Sequence, residues 1–136
     1  NGHINIHPHN YQSIGQGTFT NVVDTTVFLN ENFYSGGVDG DNVTFNAFLD
    51  KGTYTLRLLV TTSTNKGIVD IDIDSVEVAS FDLYSASTVT NVVKSQTGIV
   101  IASSGLKAIR LRADGKNASS SSYQLFMVAL ALWRTA

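Results

Sequence analysis

An all-β, antiparallel sandwich or barrel is the fold this sequence predicts, and three observations carry that prediction. Beta-branched and aromatic residues alternate with polar ones along nearly the whole chain. Clusters of Gly, Asp, Asn and Ser interrupt the alternation at short intervals. No helical period persists beyond about two turns, so there are no crossover helices to build a parallel sheet.

Taken in order, strands are expected near 18–22, 26–34, 42–49, 53–61, 67–74, 76–83, 88–93, 97–102, 106–113 and 122–134. Ser35-Gly36-Gly37, Asp39-Gly40-Asp41, Asp50-Lys51-Gly52, Asn65-Lys66-Gly67, Ser103-Ser104-Gly105 and Asp114-Gly115-Lys116-Asn117 separate them. Residues 1–16 hold the only proline, Pro8, and read as an N-terminal extension or linker, with one sandwich domain over 17–136. In 68–74, Val69, Ile71 and Ile73 share one face while Asp70, Asp72 and Asp74 share the other. In 106–113, Ile109 and Leu111 oppose Arg110 and Arg112. Each pattern marks a strand with one buried face and one solvated face. The final strand differs, because Tyr123, Leu125, Met127, Ala129, Ala131 and Trp133 form one apolar face and Phe126, Val128, Leu130 and Leu132 the other. Both faces should therefore be covered. Self-association through Phe126, Val128, Leu130 and Leu132 is the expected cover, with the N-terminal extension as the alternative.

Composition narrows the function classes. At 136 residues the chain suits one domain with a real core, and 43% apolar against 15% charged residues excludes a disordered tail. A net charge of −2 without a basic stripe argues against nucleic acid, which is held largely by phosphate neutralisation. The longest apolar run, 126–133, is too short to span a bilayer, so no membrane insertion is expected. There is no cysteine, hence no disulfide or thiolate metal site. The chain begins at Asn1, which reads as a fragment or a processed product.

Little chemistry is visible. Asp70-Ile71-Asp72-Ile73-Asp74 has the acids of a calcium loop, but the alternating isoleucines place them on a flat strand, as a solvated or ion-paired face. His3, His7 and His9 are the only histidines; His7-Pro8-His9 could ligate a transition metal, yet no Asp or Glu stands close by, and a flexible tail is the simpler reading. No nucleophile elbow or nucleotide fingerprint occurs, and the scattered carboxylates fall mostly at turns. The expectation is a non-enzyme with no metal and no cofactor. Tyr34, Tyr84 and Tyr123 fall at strand ends, where stacking platforms for sugars would sit, and are the candidate ligand-binding residues. Trp133 reads as core or interface.

Two segments carry a resemblance. Gly52-Thr53-Tyr54-Thr55-Leu56 followed by 67–74 is similar to the galactose-binding-like jelly-roll sandwiches that include many carbohydrate-binding modules. Asp82-Leu83-Tyr84-Ser85-Ala86, Thr97-Gly98-Ile99, Ser104-Gly105-Leu106-Lys107, 115–123 and Leu132-Trp133-Arg134-Thr135-Ala136 resemble a C-terminal domain of bacteriophage tail-fibre, head-fibre or decoration proteins. The resemblance covers 40–136 and implies a two-sheet antiparallel sandwich of jelly-roll topology. It further implies a structural role on a virion surface, homotrimeric assembly with other virion proteins, and attachment to cell-surface glycans. The alternative is an extracellular carbohydrate-binding module for a polysaccharide. Such domains usually carry Asp-Gly after the acidic strand, where this chain has Asp74-Ser75, which leaves type I′ geometry open there. Jelly-roll order also makes 106–113 the neighbour of 67–74, so the acids and arginines should face one another across the strands.

Overall fold

The computed structural model describes residues 3–7 and 11–136, without the side chains of His3 and Asn30. Its strands are β1 (His3–Ile6), β2 (Ser13–Gln16), β3 (Phe19–Val23), β4 (Glu31–Ser35), β5 (Asn42–Leu49), β6 (Gly52–Thr62), β7 (Ile68–Ile73), β8 (Val76–Asp82), β9 (Val89–Ile101), β10 (Gly105–Ala113) and β11 (Phe126–Arg134). They form a two-sheet antiparallel sandwich. One sheet runs β3-β4-β11-β6-β9, with β1 also pairing β11; the other runs β2-β5-β10-β7-β8. Alternation explains the packing between them: Leu56, Leu58 and Val60 of β6 meet Val69 and Ile71 of β7 and Ile109 and Leu111 of β10 in one closed core.

The chain departs from its sequence reading in three places and settles a fourth point that the sequence left open. The stretch 1–16 is not all extension, because β1 pairs β11 and β2 pairs β5, one strand for each sheet. The expected strands at 88–93 and 97–102 are one long strand, β9. Its pairing to β6 absorbs two register shifts, and Asn91 and Gly98 take φ of 56° and 71° without ending the strand. Strand β4 begins only at Glu31, since 24–30 runs as a strap described below. The β7–β8 turn has φ of 48° at Asp74 and 67° at Ser75, positive at both central residues as a type I′ turn requires, without any glycine.

Strand β11 explains its own two-sided apolar pattern. Its pairing with β6 slips between Met127 and Ala129, and this bulge exchanges the faces. Leu125 and Met127 enter the core before the slip, and Leu130 and Leu132 enter it after. Val128 is 4%, Leu130 1% and Leu132 0% exposed, so none of the three offers surface to a second subunit. The fourth candidate, Phe126, is half-buried with its ring 5.1 Å from that of Tyr34. The four residues expected at an oligomer interface are thus engaged within the chain. Trp133 lies on the outward side with the Arg57 guanidinium 4.7 Å from its ring centre.

The acidic strand sits where jelly-roll order puts it. Strand β10 lies between β5 and β7, with Arg110 opposite Asp72 and Arg112 opposite Asp70. Asp70 and Asp72 are each only 2% exposed, so that face is ion-paired rather than solvated. Arg110 Nε donates to Asp72 Oδ2 at 3.0 Å, Arg112 Nη2 lies 3.4 Å from Asp70 Oδ2, and Ser80 Oγ donates to Asp70 Oδ1 at 2.6 Å.

Residues 24–30 cross the outer face of the β11-containing sheet. Asp24 accepts from Thr26 Oγ1, Thr26 N and Asn32 Nδ2, bonds that hold its carboxyl below the usual range. At the far end, Phe28 N donates to Asn91 Oδ1 of β9 at 2.7 Å. Between these anchors Val27 is buried, while Phe28 and Leu29 are exposed and Leu29 takes φ 66°. Four longer loops gather at one end of the sandwich, β4–β5, β6–β7, β8–β9 and β10–β11, with the short β2–β3 connection beside the first of them. At the opposite end lie the Asp50–Lys51 turn, the Asp74–Ser75 turn and the C-terminus, where Thr53 N donates to Ala136 O and His3 pairs with Trp133.

Candidate functional site

The four-loop end is assembled by backbone hydrogen bonds between segments distant in sequence. Gly67 N donates to Gln124 O at 2.9 Å, Leu83 N to Gly67 O at 3.1 Å, Ser63 N to Leu83 O at 3.2 Å and Ser121 N to Thr64 O at 2.9 Å. Gly67 is needed for this approach, because a Cβ there would stand 2.7 Å from Tyr123 O. The buried Ser120 hydroxyl bridges the same segments, donating toward Lys66 O at 2.7 Å. On the β4–β5 side, the fully buried Asp41 takes Gly37 N and Val38 N on Oδ2 and fixes that turn. A network of this density makes the end a rigid platform rather than a set of free loops.

All three candidate tyrosines stand on this platform, each half-buried. Tyr34, at the end of β4, meets the Phe126 ring edge-on with an interplanar angle of 68°. Tyr123 has the Lys116 ammonium 5.6 Å from its ring centre, and Lys116 Nζ also donates to Ser120 O at 2.8 Å. Tyr84 follows β8, its amide bonded to Asp82 Oδ1, and bridges to Ser63. Carboxamides fill the space around them. Asn117 Nδ2 donates to Asp82 Oδ2 at 2.9 Å while its Oδ1 caps Ser119 N. The 116–123 loop therefore serves its own backbone through Lys116 and Asn117 and ties the neighbouring loops together through Asn117, Ser120 and Ser122.

Lys66 is the residue the sequence did not announce. Inside an Asn-Lys-Gly turn it reads as a solvated charge, yet it is 3% exposed. Its Nζ donates to Asn65 Oδ1 at 2.9 Å and Gln124 Oε1 at 2.6 Å and lies 4.3 Å from the Phe126 ring centre. Burial without a counter-charge lowers its pKa to about 8. Apart from Asn65, its neighbours Gln124, Ser120 and Phe126 are distant in sequence, and no local pattern shows them.

Clefts elsewhere are poorer in binding groups. One of about 210 Å³ at the opposite end is walled by Ile73, Val76, Val78, Val100 and Ile101, with Asp74 and Lys107 3.6 Å apart at its rim. Another of about 260 Å³ lies beside β1 and is lined by Asn5, Ile6, His7, Leu29 and Ala129. His9 and the side chain of His3 lie outside the described residues. Among the described residues no three His, Asp or Glu side chains converge as metal ligands.

No family model matches this chain, and no curated protein matches it significantly. Solved structures do. A xanthan lyase from Paenibacillus aligns over 96% of this chain with a TM-score of 0.78 and 23% identity; the chain spans 13% of that enzyme. The CBM36-1 domain of a multidomain xylanase, from the hindgut metagenome of Trinervitermes trinervoides, aligns over 99% of both chains with a TM-score of 0.76 and 14% identity. A CBM36 carbohydrate-binding module in complex with calcium and xylotriose aligns over 94% of this chain and 97% of its own, with a TM-score of 0.64 and 17% identity. At these identities the likeness is one of fold, and the fold is that of jelly-roll carbohydrate-binding modules.

Proposed function

We propose that this domain is a non-catalytic carbohydrate-binding module that takes a polysaccharide chain at its four-loop end. The observation that carries the reading is the grouping there of Tyr34, Tyr84 and Tyr123 with the carboxamides of Asn65 and Gln124. Aromatic faces accept the apolar C–H faces of a pyranose, and carboxamides serve its hydroxyls as both donors and acceptors. The rigid platform keeps the ordering cost of binding low. Full-length likeness to two CBM36 modules, against a small fraction of a lyase, supports a binding role over catalysis. A polymeric glycan also puts the working location outside the cell.

Calcium accompanies xylotriose in one of those neighbours. Here Asp39 takes Gly115 N, Asp82 takes Tyr84 N and Asn117 Nδ2, and Asp41 takes Gly37 N and Val38 N on Oδ2 while its buried Oδ1 has no partner; among the described residues no three such acids converge. That donor set does not fit a calcium cage, so the proposed recognition runs through aromatic and amide groups. The virion-surface role and the trimer draw no support from these neighbours, and no observation in the fold favours them.

Affinity electrophoresis in gels containing xylan or xanthan tests the reading. Retardation is expected, weakened about tenfold by Tyr34→Ala or Tyr123→Ala with the melting temperature nearly unchanged. Free migration in both gels, or release of reducing ends from either polymer, would overturn it.

A further inference from the structure

We propose that Lys66 is the positioning residue of the loop end: its ammonium draws the carbonyl oxygens of Asn65 and Gln124 inward, so that both carboxamides present their amino groups to a bound sugar. This deepens the carbohydrate-binding reading and rests on it.

The geometry follows from donor arithmetic. An ammonium has three donors and no acceptor, so only oxygen or a π face can be turned toward it. Asn65 Oδ1, Gln124 Oε1 and the Phe126 ring take those three places. Each carboxamide is thereby held in one of its two flips. Gln124 Nε2 then has no acceptor among the described residues, and Asn65 Nδ2 reaches only Gln124 Oε1, at a long 3.4 Å. Both residues are half-buried, the Gln124 amino group is unspent, and that of Asn65 is spent only on its one long bond. The same ammonium holds Phe126, whose ring sets the edge of Tyr34. One buried charge thus orders two donors and one aromatic pair.

Nothing else at this end competes for the amine. The titratable groups here are Tyr34, Asp39 and Asp41 from β4 and the turn after it, Asp82 and Tyr84 from the end of β8, and Asp114, Lys116 and Tyr123 from the β10–β11 loop. Asp39, Asp41 and Asp82 are bonded as described, Asp114 pairs with Arg112 at 3.1 Å, and none forms an ion pair with Lys66. With a pKa near 8 the amine becomes neutral in mildly alkaline solution, gains a lone pair and releases the carboxamides from their fixed flip.

Two measurements on the intact domain test the assignment. In the free protein, the side-chain amide resonances of Gln124 and Asn65 should move together with a midpoint near pH 8, and the transition should vanish in Lys66→Met. Affinity for xylotriose or xanthan should fall about tenfold through the same midpoint, while Lys66→Arg binds at neutral pH without that dependence. Amide resonances indifferent to pH, or Lys66→Met binding as tightly as wild type, would overturn the proposal. Amide transitions without any glycan binding would overturn the sugar-facing role and the carbohydrate-binding reading, leaving only the internal geometry. If Lys66→Met does not fold, the wild-type titration and Lys66→Arg decide the matter.

Discussion

Arg110 donates Nε and Nη2 to the same oxygen, Oδ2 of Asp72, across directly opposed positions of β10 and β7. The carboxylate is buried while the guanidinium is 37% exposed, so water screens one partner and not the other. Removing the arginine leaves the buried carboxylate only the Arg112 Nε, 3.8 Å away; removing the acid frees an arginine that solvent can still reach. Arg110→Ala is therefore expected to lower unfolding free energy more than a typical surface pair would, by about 2 kcal/mol. A double-mutant cycle with Asp72→Ala, read by urea unfolding, should return a coupling of about 1 kcal/mol. Additive single effects would remove the pair from the account of this sheet.

Lys66 makes stability depend on pH in a defined direction. Its folded pKa of about 8 lies below the ordinary lysine value of 10.5, so above pH 8 the unfolded chain binds the proton more than the folded one does. Unfolding free energy should therefore rise with pH between 8 and 10.5 through this residue, and its cost is fully present below 8. The gap corresponds to about 3 kcal/mol at most. The difference between wild type and Lys66→Met, measured by chemical unfolding at several pH values, isolates it from the tyrosines. A flat difference would mean the amine is better solvated than its surroundings indicate.

Leu132 separates core from interface. Packed within the sandwich, it should cost about 2–5 kcal/mol when cut to alanine. Sedimentation should show the same mass for wild type and variant. A concentration-dependent mass that collapses in Leu132→Ala would restore an intersubunit role for β11.

The strap stores strain at Leu29, whose φ of 66° is costly for a branched side chain. Leu29→Gly should stabilise the domain by up to about 1 kcal/mol. Asn91→Gly tests the anchor without disturbing its own positive φ, and should cost about 1 kcal/mol while speeding hydrogen exchange at the Phe28 amide. Unchanged exchange there would mean that Val27 alone holds the strap down.

What the sequence disclosed depended on the range of the interaction. Alternation is local, so β5, β6, β7, β8 and β10 stand within a residue or two of their expected limits. The opposition of Asp70 and Asp72 to Arg112 and Arg110 needed only strand order and parity. Strands β1 and β2 exist because distant partners supply their hydrogen bonds: His3–Ile6 alternates over only four residues, and Ser13–Gln16 carries little intrinsic strand signal. The bulge in β11 was legible only as a contradiction, two apolar faces on one strand, and a second subunit was a reasonable but unnecessary resolution. For the site, Tyr34, Tyr84 and Tyr123 could be named as aromatics at strand ends. Lys66 could not, since its burial is decided by residues some sixty positions away.

The start of β1 and the end of β11 are paired neighbours beside the Asp50–Lys51 turn, at the pole opposite the tyrosines. A tether attached at either terminus therefore pulls from the same side, and the aromatic pole points away from whatever is tethered. Circular permutation that joins the start of β1 to the end of β11 and opens an exposed turn should leave the sheets intact, since those two strand ends are already paired. Immobilised on a surface through either end, the domain would present one and the same face to a passing polymer.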